Sequence, residues 1–386
     1  MNDAIHRALL PAGLPDLLPP DAGHEAAIVE RLMAAFGRSG YERVKPPLIE
    51  FESTMLSGSG QALATETFRV MDPISQSMLA LRPDITLQVA RIATTRLTRR
   101  PRPLRLSYGG QVVRTRGSHM RPERQFGQVG VELIGTLAPE ADAEVVVLAA
   151  EALQAAGVPH LSVDLNVATL VPTLCRALNL PEEDSARLRS ALDRKDAAGV
   201  AAVGGPAAAL MGRLMAASGP AARAVAALSA LELPEAAEAD RRRLTEVVRL
   251  VKEAAPSLML TVDLVEHRGF EYHTGLGFTF FARGTRGELG RGGRYRAGGD
   301  GRDPLSGEPS TGFTLYLDTV LRAAPGPQPT TRLFLPHGTD PGEGRRLREA
   351  GWTTVAGLEP ASDAGAEARR QRCTHLLVAG EPVALD

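Results

Sequence analysis

Arginine is concentrated in two stretches of this 386-residue chain. Residues 91–124 contain ten arginines against one acidic residue, Glu123, and residues 268–302 contain seven arginines against three acidic residues. Planar guanidinium groups are suited to two-point capture of a carboxylate or a phosphate. For the arginines of a predicted helix at 91–100, a solvated basic face is the favoured interpretation. Arg114 and Arg268 lie inside strand patterns, so an anionic ligand is favoured for these two.

Acidic and amide side chains stand in strand patterns close to these arginines. In the sequence GQVGVEL, alternation places Gln128, Gly130 and Glu132 on one face of a strand and the apolar side chains on the other. The glycine between two polar side chains leaves space above it for a small ligand. Asp84 and Thr86, two residues apart, could face one cavity in the same way. Either pair, taken alone, is equally compatible with a solvated sheet.

Hydrophobic periodicity predicts the elements that position these residues. A Pro-punctuated arm precedes a helix over 21–39, and a second helix is predicted over 86–100. The sequences PLRLSYGGQVVRTR and RQFGQVGVELIGT are predicted to be two strands joined by a polar loop at 117–123. From about 138 to 255 the chain is rich in Ala and Leu at helical spacing, with one strand near its start.

Strand character returns after residue 255 and leads into a predicted Gly-rich hairpin at 287–301. An apolar helix is predicted at 310–324, and the Pro-Gly-rich segment 325–329 is a linker by composition. The remaining residues, 331–386, alternate between strand and helix patterns. They predict a short α/β appendage.

Composition excludes several classes of protein. The 44 basic and 45 acidic residues nearly cancel, which removes an overall electrostatic argument for a nucleic-acid or membrane-surface binder. No apolar run reaches membrane-spanning length, and no signal peptide pattern is present. Two cysteines form neither a disulfide framework nor a metal-ligand cluster, so a reducing compartment is expected. The sequence therefore predicts a soluble, cytoplasmic protein without a metal site.

Four sequence motifs, in this order, resemble the catalytic core of the histidyl-tRNA synthetases: LRPDIT, the two-part motif GQVVRTR with RQFGQVGVELIG, RGFEYHTG and GGRY. The resemblance implies an α+β fold with a class II synthetase-like antiparallel sheet flanked by helices. The core is expected at 1–325, with a helical insertion at about 170–255 and a truncated α/β domain at 331–386. The sequence GYERVKPPLIE resembles the motif through which such cores form dimers.

The resemblance also implies a histidine-binding set, which consists of Asp84, Thr86, Arg114, Gln128, Glu132, Arg268, Tyr272 and His273. Asp84 matches the acid that holds the α-amino group of histidine, with Thr86 and Gln128 beside it. Glu132 matches the carboxylate that faces the imidazole.

The remaining members of the set match the residues around the reacting groups. Arg114 lies where the family contacts the α-phosphate and the histidine carboxylate. Arg268 matches the arginine of the motif RGL(D/E)YY, which assists at the reacting carboxylate. Tyr272 follows that motif, whereas His273 replaces its second tyrosine, and a pocket kept only as an empty relic is the alternative to a histidine site.

The chain departs from the family in the half of the site that binds ATP. A Gly-Leu-Glu-Arg motif normally supplies an arginine to the γ-phosphate, but here Asp318 and Thr319 take its last two positions. A glutamate that orients the adenine amino group is also lost, since Thr115 and Arg116 follow Arg114. Losing a charge-assisted contact to a triphosphate costs roughly 1.5–3 kcal/mol. The sequence predicts that the histidine half is kept and the ATP half is lost.

These departures and the short tail make the chain similar to the synthetase-like regulatory subunits of ATP phosphoribosyltransferase. That family is non-catalytic, and its partner is the short-form catalytic subunit of the first enzyme of histidine biosynthesis. The resemblance implies a homodimer within a hetero-oligomer, histidine as a feedback ligand, no cofactor, and neither membrane nor tRNA as a partner.

Two other functions stay open from the sequence. A divergent synthetase or amino-acid ligase would show histidine-dependent pyrophosphate exchange despite the loss of the arginine. An RNA-binding adaptor would use the arginines of 91–124 and bind RNA with a steep salt dependence.

Overall fold

The computed structural model describes residues 9–118, 121–266, 273–299 and 306–385. The chain divides into two compact units, Met1–Gly326 and Pro327–Asp386. The boundary falls within the segment 325–329 whose composition predicts a linker. Each unit has its own sheet and its own apolar core.

The strands of the first unit, in chain order, are β1 (Glu42–Arg43), β2 (Ile49–Phe51), β3 (Arg69–Met71), β4 (Met78–Leu81), β5 (Leu104–Val113), β6 (Gln125–Ile134), β7 (Leu161–Val167), β8 (Gly219–Pro220), β9 (Met259–Asp263), β10 (Leu276–Ala282), β11 (Gly290–Ala297) and β12 (Glu308–Tyr316). Its helices are α1 (Asp21–Arg38), α2 (Glu52–Met55), α3 (Thr86–Thr95), α4 (Pro139–Ala155), α5 (Leu170–Ala177), α6 (Glu182–Asp193), α7 (Ala197–Val203), α8 (Gly205–Ala217), α9 (Ala221–Ser229), α10 (Glu238–Ala254) and α11 (Leu317–Ala323). Two 3₁₀ segments lie at Gly58–Glu66 and Glu235–Ala237.

Nine of the described strands form the main sheet, in the order β1-β5-β6-β12-β11-β10-β7-β9-β8. Its central pairs are antiparallel, and the parallel pairs are β1 with β5 and β7 with β9. Helices α1 and α4 pack on one face of this sheet. The predicted α+β architecture, a largely antiparallel sheet flanked by helices, is confirmed.

The two faces of the main sheet differ in character because side chains alternate along each strand. One face is apolar and packs on the helices, with Phe313 of β12 in edge contact with Phe36 at 5.6 Å and with Phe280 at 5.9 Å. On the other face, Glu132 pairs with Gly312, which pairs in turn with Gly293 of β11. The polar face therefore has a carboxyl group beside a floor that carries no side chains.

The glycine of β12 is required at this floor. A Cβ on Gly312 would lie 2.0 Å from Oε2 of Glu132, which is far inside van der Waals contact. A Cβ on Gly293 would lie 3.0 Å from Cε1 of His273. Any larger side chain at Gly312 would displace Glu132, so the glycines shape the site around it.

Two predicted elements differ from the structure. The Gly-rich stretch predicted as a hairpin at 287–301 contains a continuous strand, β11, in the middle of the sheet. The helix predicted at 310–324 begins only at Leu317, because residues 308–316 form the buried strand β12. In β12, Gly312 and Thr314 alternate with Phe313 and Leu315, a period of two that is typical of a strand, but this alternation is short and runs directly into the apolar helix α11.

The predicted insertion at about 170–255 holds helices α5 to α10. Their small, apolar side chains pack into the same core as α1 and α4. Within it, β8 reaches the main sheet and pairs with β9. None of the helices in the described ranges is long and apolar enough to cross a bilayer.

The second unit is a small α/β fold that contains the predicted domain 331–386. It consists of β13 (Arg332–Leu335), α12 (Pro341–Glu349), β14 (Thr353–Ala356), α13 (Ala364–Arg370), β15 (His375–Val378) and β16 (Glu381–Ala384). The strand order is β14-β13-β15-β16, and β13 is parallel to both of its neighbours. The last strand, β16, was not predicted from the sequence.

A separate three-stranded sheet, in the order β2-β4-β3, precedes α3. It carries exposed apolar side chains, among them Phe51, Val70 and Met71 at 48%, 45% and 52% exposure. Large side chains of this kind are unusual on a free surface when they are clustered. This sheet is therefore a candidate contact surface.

Candidate functional site

Glu132 lies near the end of β6, on the polar face of the main sheet, and only 1% of it is exposed. The Tyr295 hydroxyl contacts its Oε2 at 2.8 Å, and the Tyr108 hydroxyl contacts its Oε1 at 3.3 Å. The two tyrosines come from the strands β11 and β5. The carboxyl group is thus held from both sides by hydroxyl groups.

Burial raises the pKa of Glu132 to about 8, and the nearby Asp84 carboxylate acts in the same direction. The hydroxyls of Tyr295, Thr86 and Tyr108 oppose this shift without cancelling it. A carboxyl group with this pKa is mostly protonated at pH 7. The Glu132 side chain is therefore mainly a carboxylic acid at this pH.

Asp84 and Thr86, at the start of α3, are brought together with Gln128 of β6. Oδ1 of Asp84 accepts from the Thr86 backbone N–H at 2.8 Å, and Oδ2 accepts from Nε2 of Gln128 at 2.9 Å. Oε1 of the buried Gln128 accepts from the Ile85 backbone N–H at 3.1 Å. These bonds fix the Asp84 carboxylate in one orientation beside Glu132.

The Tyr108 hydroxyl joins this acid–amide network to Glu132. It lies 2.7 Å from Oγ1 of Thr314 and 3.1 Å from Oγ1 of Thr86. Burial raises the pKa of Tyr108 well above its usual value, so the phenol stays neutral. The Tyr108 hydroxyl of β5 therefore contacts side chains from three other elements, which are β6, β12 and α3.

His273 lies half-buried beside Gly293 of β11. Burial, with a smaller contribution from the positive charge of Arg291, lowers its pKa to about 3. Its imidazole is therefore neutral at physiological pH. Arg268 and Tyr272, also predicted as histidine-binding residues, lie outside the described residues.

Arg114 follows β5 and borders the same network. Its Nε donates to the Pro83 carbonyl at 3.2 Å, and its Nη1 lies 3.0 Å from Oε2 of Glu66. The guanidinium also stands 5.4 Å from the centroid of the Phe126 ring. Arg114 is therefore held against Pro83, the residue that precedes Asp84.

Near the positions of the lost ATP-binding motif, Arg121 lies over two aromatic rings, which contact each other edge-to-face at 6.1 Å. Its guanidinium carbon lies 3.9 Å from the Tyr316 ring centroid and 4.7 Å from that of Phe126. Its Nε donates to Oδ2 of Asp318 at 3.0 Å. Tyr316 stands in the glycine position of the Gly-Leu-Glu-Arg motif, so an aromatic ring is present where that motif has no side chain.

Several other arginines of the stretch 91–124 are also paired with carboxylates. The pairs in the described part of the chain are Arg91–Glu50, Arg100–Glu42, Arg102–Glu308, Arg105–Glu144, Arg114–Glu66 and Arg121–Asp318. Each ion pair reduces the charge that a polyanion would meet. For the paired arginines other than Arg114, this supports a role in the structure of the chain and not in binding a polyanion.

Sequence reasoning missed Tyr108 and Tyr295, which hold Glu132, and Arg121 with Tyr316. Two signals were available for them. The chain has only five tyrosines, and three of them stand in strands next to the polar face. Tyr316 also replaces a motif glycine. Within the described ranges, no group of three His, Cys, Asp or Glu side chains is arranged to hold a metal ion.

Comparisons with known proteins agree with this arrangement. The family model of histidyl-tRNA synthetase matches residues 13–320. The chain is 67% identical to the ATP phosphoribosyltransferase regulatory subunit of Rhodospirillum centenum, over 97% of this chain and 95% of that one.

Two solved structures share the fold. A regulatory subunit/histidyl-tRNA synthetase from Bacillus halodurans has a TM-score of 0.80 at 23% identity and covers 94% of this chain and 96% of its own. A chain of the HisG:HisZ complex of ATP phosphoribosyltransferase from Thermotoga maritima has a TM-score of 0.59 at 17% identity. The match covers 76% of this chain and 97% of that one. The class II synthetase-like fold is thereby confirmed, and the chain belongs to the family of ATP phosphoribosyltransferase regulatory subunits.

Proposed function

We propose that this chain acts as the non-catalytic regulatory subunit of an ATP phosphoribosyltransferase, together with the short catalytic subunit. The single observation that supports this most strongly is its 67% identity to a curated regulatory subunit across nearly the whole of both chains. The ATP side of the site agrees, because Asp318 and Arg121 stand where a triphosphate would need free cations. The reaction served is the first step of histidine biosynthesis.

Co-expression with a short-form catalytic subunit tests this function. The two chains should co-purify as a hetero-oligomer, and phosphoribosyl transfer should appear only when both are present. A catalytic subunit that is fully active alone, or that fails to co-purify with this chain, would contradict the proposal.

The proposed regulatory ligand is histidine, bound on the polar face of the main sheet. Asp84, held by Gln128, offers a negative charge to the α-ammonium group, and Arg114 or Arg268 offers a positive charge to the carboxylate. Glu132 would contact the imidazole, since its carboxyl group is buried at the far end of the same network. A zwitterion then meets opposite charges at both of its termini.

Calorimetry on the full chain tests the histidine site. A feedback ligand should bind at roughly 10 μM to 1 mM, or about −7 to −4 kcal/mol. Glu132→Ala should weaken binding by roughly 1.5–3 kcal/mol, because a hydrogen bond to a charged group is lost. Glu140→Ala, which removes an exposed carboxylate of α4, is the matched control and should bind normally.

The outcomes of that experiment separate two errors. No binding by the unmodified chain, alone or in the complex, would mean that the pocket is a relic. Equal binding by the unmodified chain and Glu132→Ala would mean that Glu132 has another role. Because coupling between sites is reciprocal, Glu132→Ala should also blunt the response of the complex to histidine.

The homodimer is proposed to form through residues 40–50 and the three-stranded sheet that follows them. β1 is the edge strand of the main sheet, and an unpaired edge favours pairing with a second chain. The exposed apolar side chains in and around that small sheet are Leu48, Ile49, Phe51, Val70, Met71, Ile74 and Met78. We place the assembly in the cytoplasm because its relatives are subunits of a biosynthetic enzyme.

A further inference from the structure

Given the histidine site proposed above, the buried position of Glu132 bears on whether its acid or its carboxylate form meets the imidazole of the ligand. We propose that the acid form of Glu132 recognises the imidazole and transfers its proton to it when histidine binds. A carboxylate that merely accepts a hydrogen bond from a neutral ring is the alternative. Recognition by the acid and recognition by the carboxylate differ in the number of protons that binding exchanges with the solvent.

The surroundings of Glu132 disfavour a negative charge before the ligand arrives. Both carboxyl oxygens contact tyrosine hydroxyls, which are neutral groups, and the side chain is almost completely buried. Among the described residues, the charged group that acts on it is Asp84, whose negative charge repels a second carboxylate. The Gly312 backbone closes the floor beneath Oε2 and leaves no room there for a counter-ion side chain.

The titration behaviour of the groups around the carboxyl supports the same conclusion. Burial raises the pKa of Glu132 to about 8, whereas the pKa of Tyr108 is raised far above the physiological range. His273, which precedes β10 and whose pKa is lowered to about 3, stays neutral. Of these groups, Glu132 alone changes its charge between pH 6 and 9.

The proposed step is balanced within the complex. The O–H bond of the Glu132 carboxyl breaks, and an N–H bond forms on a ring nitrogen of the ligand. The resulting carboxylate accepts from the imidazolium and from the hydroxyls of Tyr108 and Tyr295. The pair as a whole stays neutral, so no net charge is buried when the ligand enters.

A ring that cannot take the proton loses this interaction. A phenyl ring has no basic nitrogen, and a triazole ring is much less basic than an imidazole. The site should therefore discriminate by basicity as well as by shape. Triazolylalanine, which is close to histidine in size, should bind at least tenfold more weakly than histidine.

Linkage fixes the pH dependence. Between the pKa of free imidazole, about 6.5, and that of Glu132, about 8, one proton is present before and after binding, so none is exchanged. Above pH 8 the empty site has lost its proton, and binding takes one up. Below pH 6.5 the free ligand carries an extra proton, and binding releases it. Affinity should fall about tenfold per pH unit beyond either limit.

Calorimetry in paired buffers of different ionisation enthalpy measures these protons directly. For the full chain we expect release of close to one proton at pH 5.5, none at pH 7.2 and uptake of close to one at pH 8.8. Glu132→Gln, which keeps the size of the side chain but does not titrate, is the matched control. It removes the uptake at pH 8.8, apart from any contribution of the ligand's own α-amino group.

Tyr295→Phe is a second variant that leaves Glu132 in place. Since the Tyr295 hydroxyl lowers the pKa of Glu132, its removal should move the upper limit of tight binding to higher pH. The inference is overturned if the unmodified chain binds histidine with no more uptake at pH 8.8 than Glu132→Gln, or releases a proton at pH 7.2. Complete absence of histidine binding would instead overturn the proposed histidine site, and this inference with it.

Discussion

Arg121 and Asp318 form an ion pair at 3.0 Å, and both side chains are largely buried, at 14% and 11% exposure. The pair joins the loop between β5 and β6 to the first turn of α11. Asp318 also lies 3.6 Å from Arg322, one turn further along that helix. Asp318, which replaces a residue of the ATP-binding motif, therefore interacts with two arginines of its own chain.

This ion pair predicts that the chain does not make histidyl-adenylate. Histidine-dependent exchange of pyrophosphate into ATP should equal that of a protein-free control. Thr319→Arg, which restores the lost motif arginine, should not restore exchange, because Tyr316 and Arg121 still fill the adjacent space. Exchange that rises with histidine concentration, in either protein, would show that the nucleotide half is functional.

The buried acid of the site predicts an unusual dependence of stability on pH. The pKa of Glu132 is raised to about 8 in the folded chain from an ordinary value of 4.5. The unfolded chain therefore ionises first, and the stability due to this group is fully present below pH 4.5 and is lost as the pH rises toward 8. Relative to Glu132→Gln, the free energy of unfolding should fall by on the order of 1.4 kcal/mol per pH unit in this interval.

Urea unfolding followed by circular dichroism at pH 5, 6, 7 and 8 measures this difference. Glu132→Gln gains in relative stability as the pH rises, and the gain should level off above pH 8. A difference between the two proteins that does not change with pH would mean that Glu132 is ionised in the folded chain.

The fold was predictable where a single pattern dominated. Helix α1 follows from the helical spacing of its apolar residues, and alternation in β6 placed Gln128 and Glu132 on one face. β11 was misassigned because its glycines are typical of a turn, and β12 was misassigned because its short alternation runs directly into the apolar helix α11. The partners of Glu132 were not predictable, since Tyr108 and Tyr295 reach it across strands far apart in the chain.

The exposed face of the β2-β4-β3 sheet predicts the effect of a charge placed on it. Val70 is 45% exposed, so Val70→Glu should leave the folded chain intact but oppose burial of this face in a dimer. Light scattering should then show a smaller particle than for the unmodified chain. Leu358→Glu, at a position 86% exposed in the second unit, is the matched control and should not change the particle size.

Asp142, at the start of α4, joins two arginines from distant parts of the chain. Its Oδ2 accepts from Nε of Arg294 at 2.8 Å and lies 3.2 Å from Nη1 of Arg243. The Asp142 side chain is fully buried, and that of Arg294 is 4% exposed. Arg294 also donates to the carbonyls of Thr136 and Ala138, so its position on β11 is fixed by three partners.

Removing the charge of Asp142 should therefore be costly. Asp142→Asn keeps the size of the side chain but leaves the buried Arg294 guanidinium without its counter-ion, which should lower the free energy of unfolding by roughly 3–5 kcal/mol. Glu246→Gln, which weakens a solvent-exposed pair with Arg249 on α10, is the matched control and should cost far less, because water screens that pair. Arg294 lies between Gly293 and Tyr295 on β11, and the Tyr295 hydroxyl contacts Glu132. Because Asp142→Asn disturbs β11, it should also weaken histidine binding. Urea unfolding and calorimetry on both variants test this, and equal effects of the two substitutions would show that the buried pair has no special role.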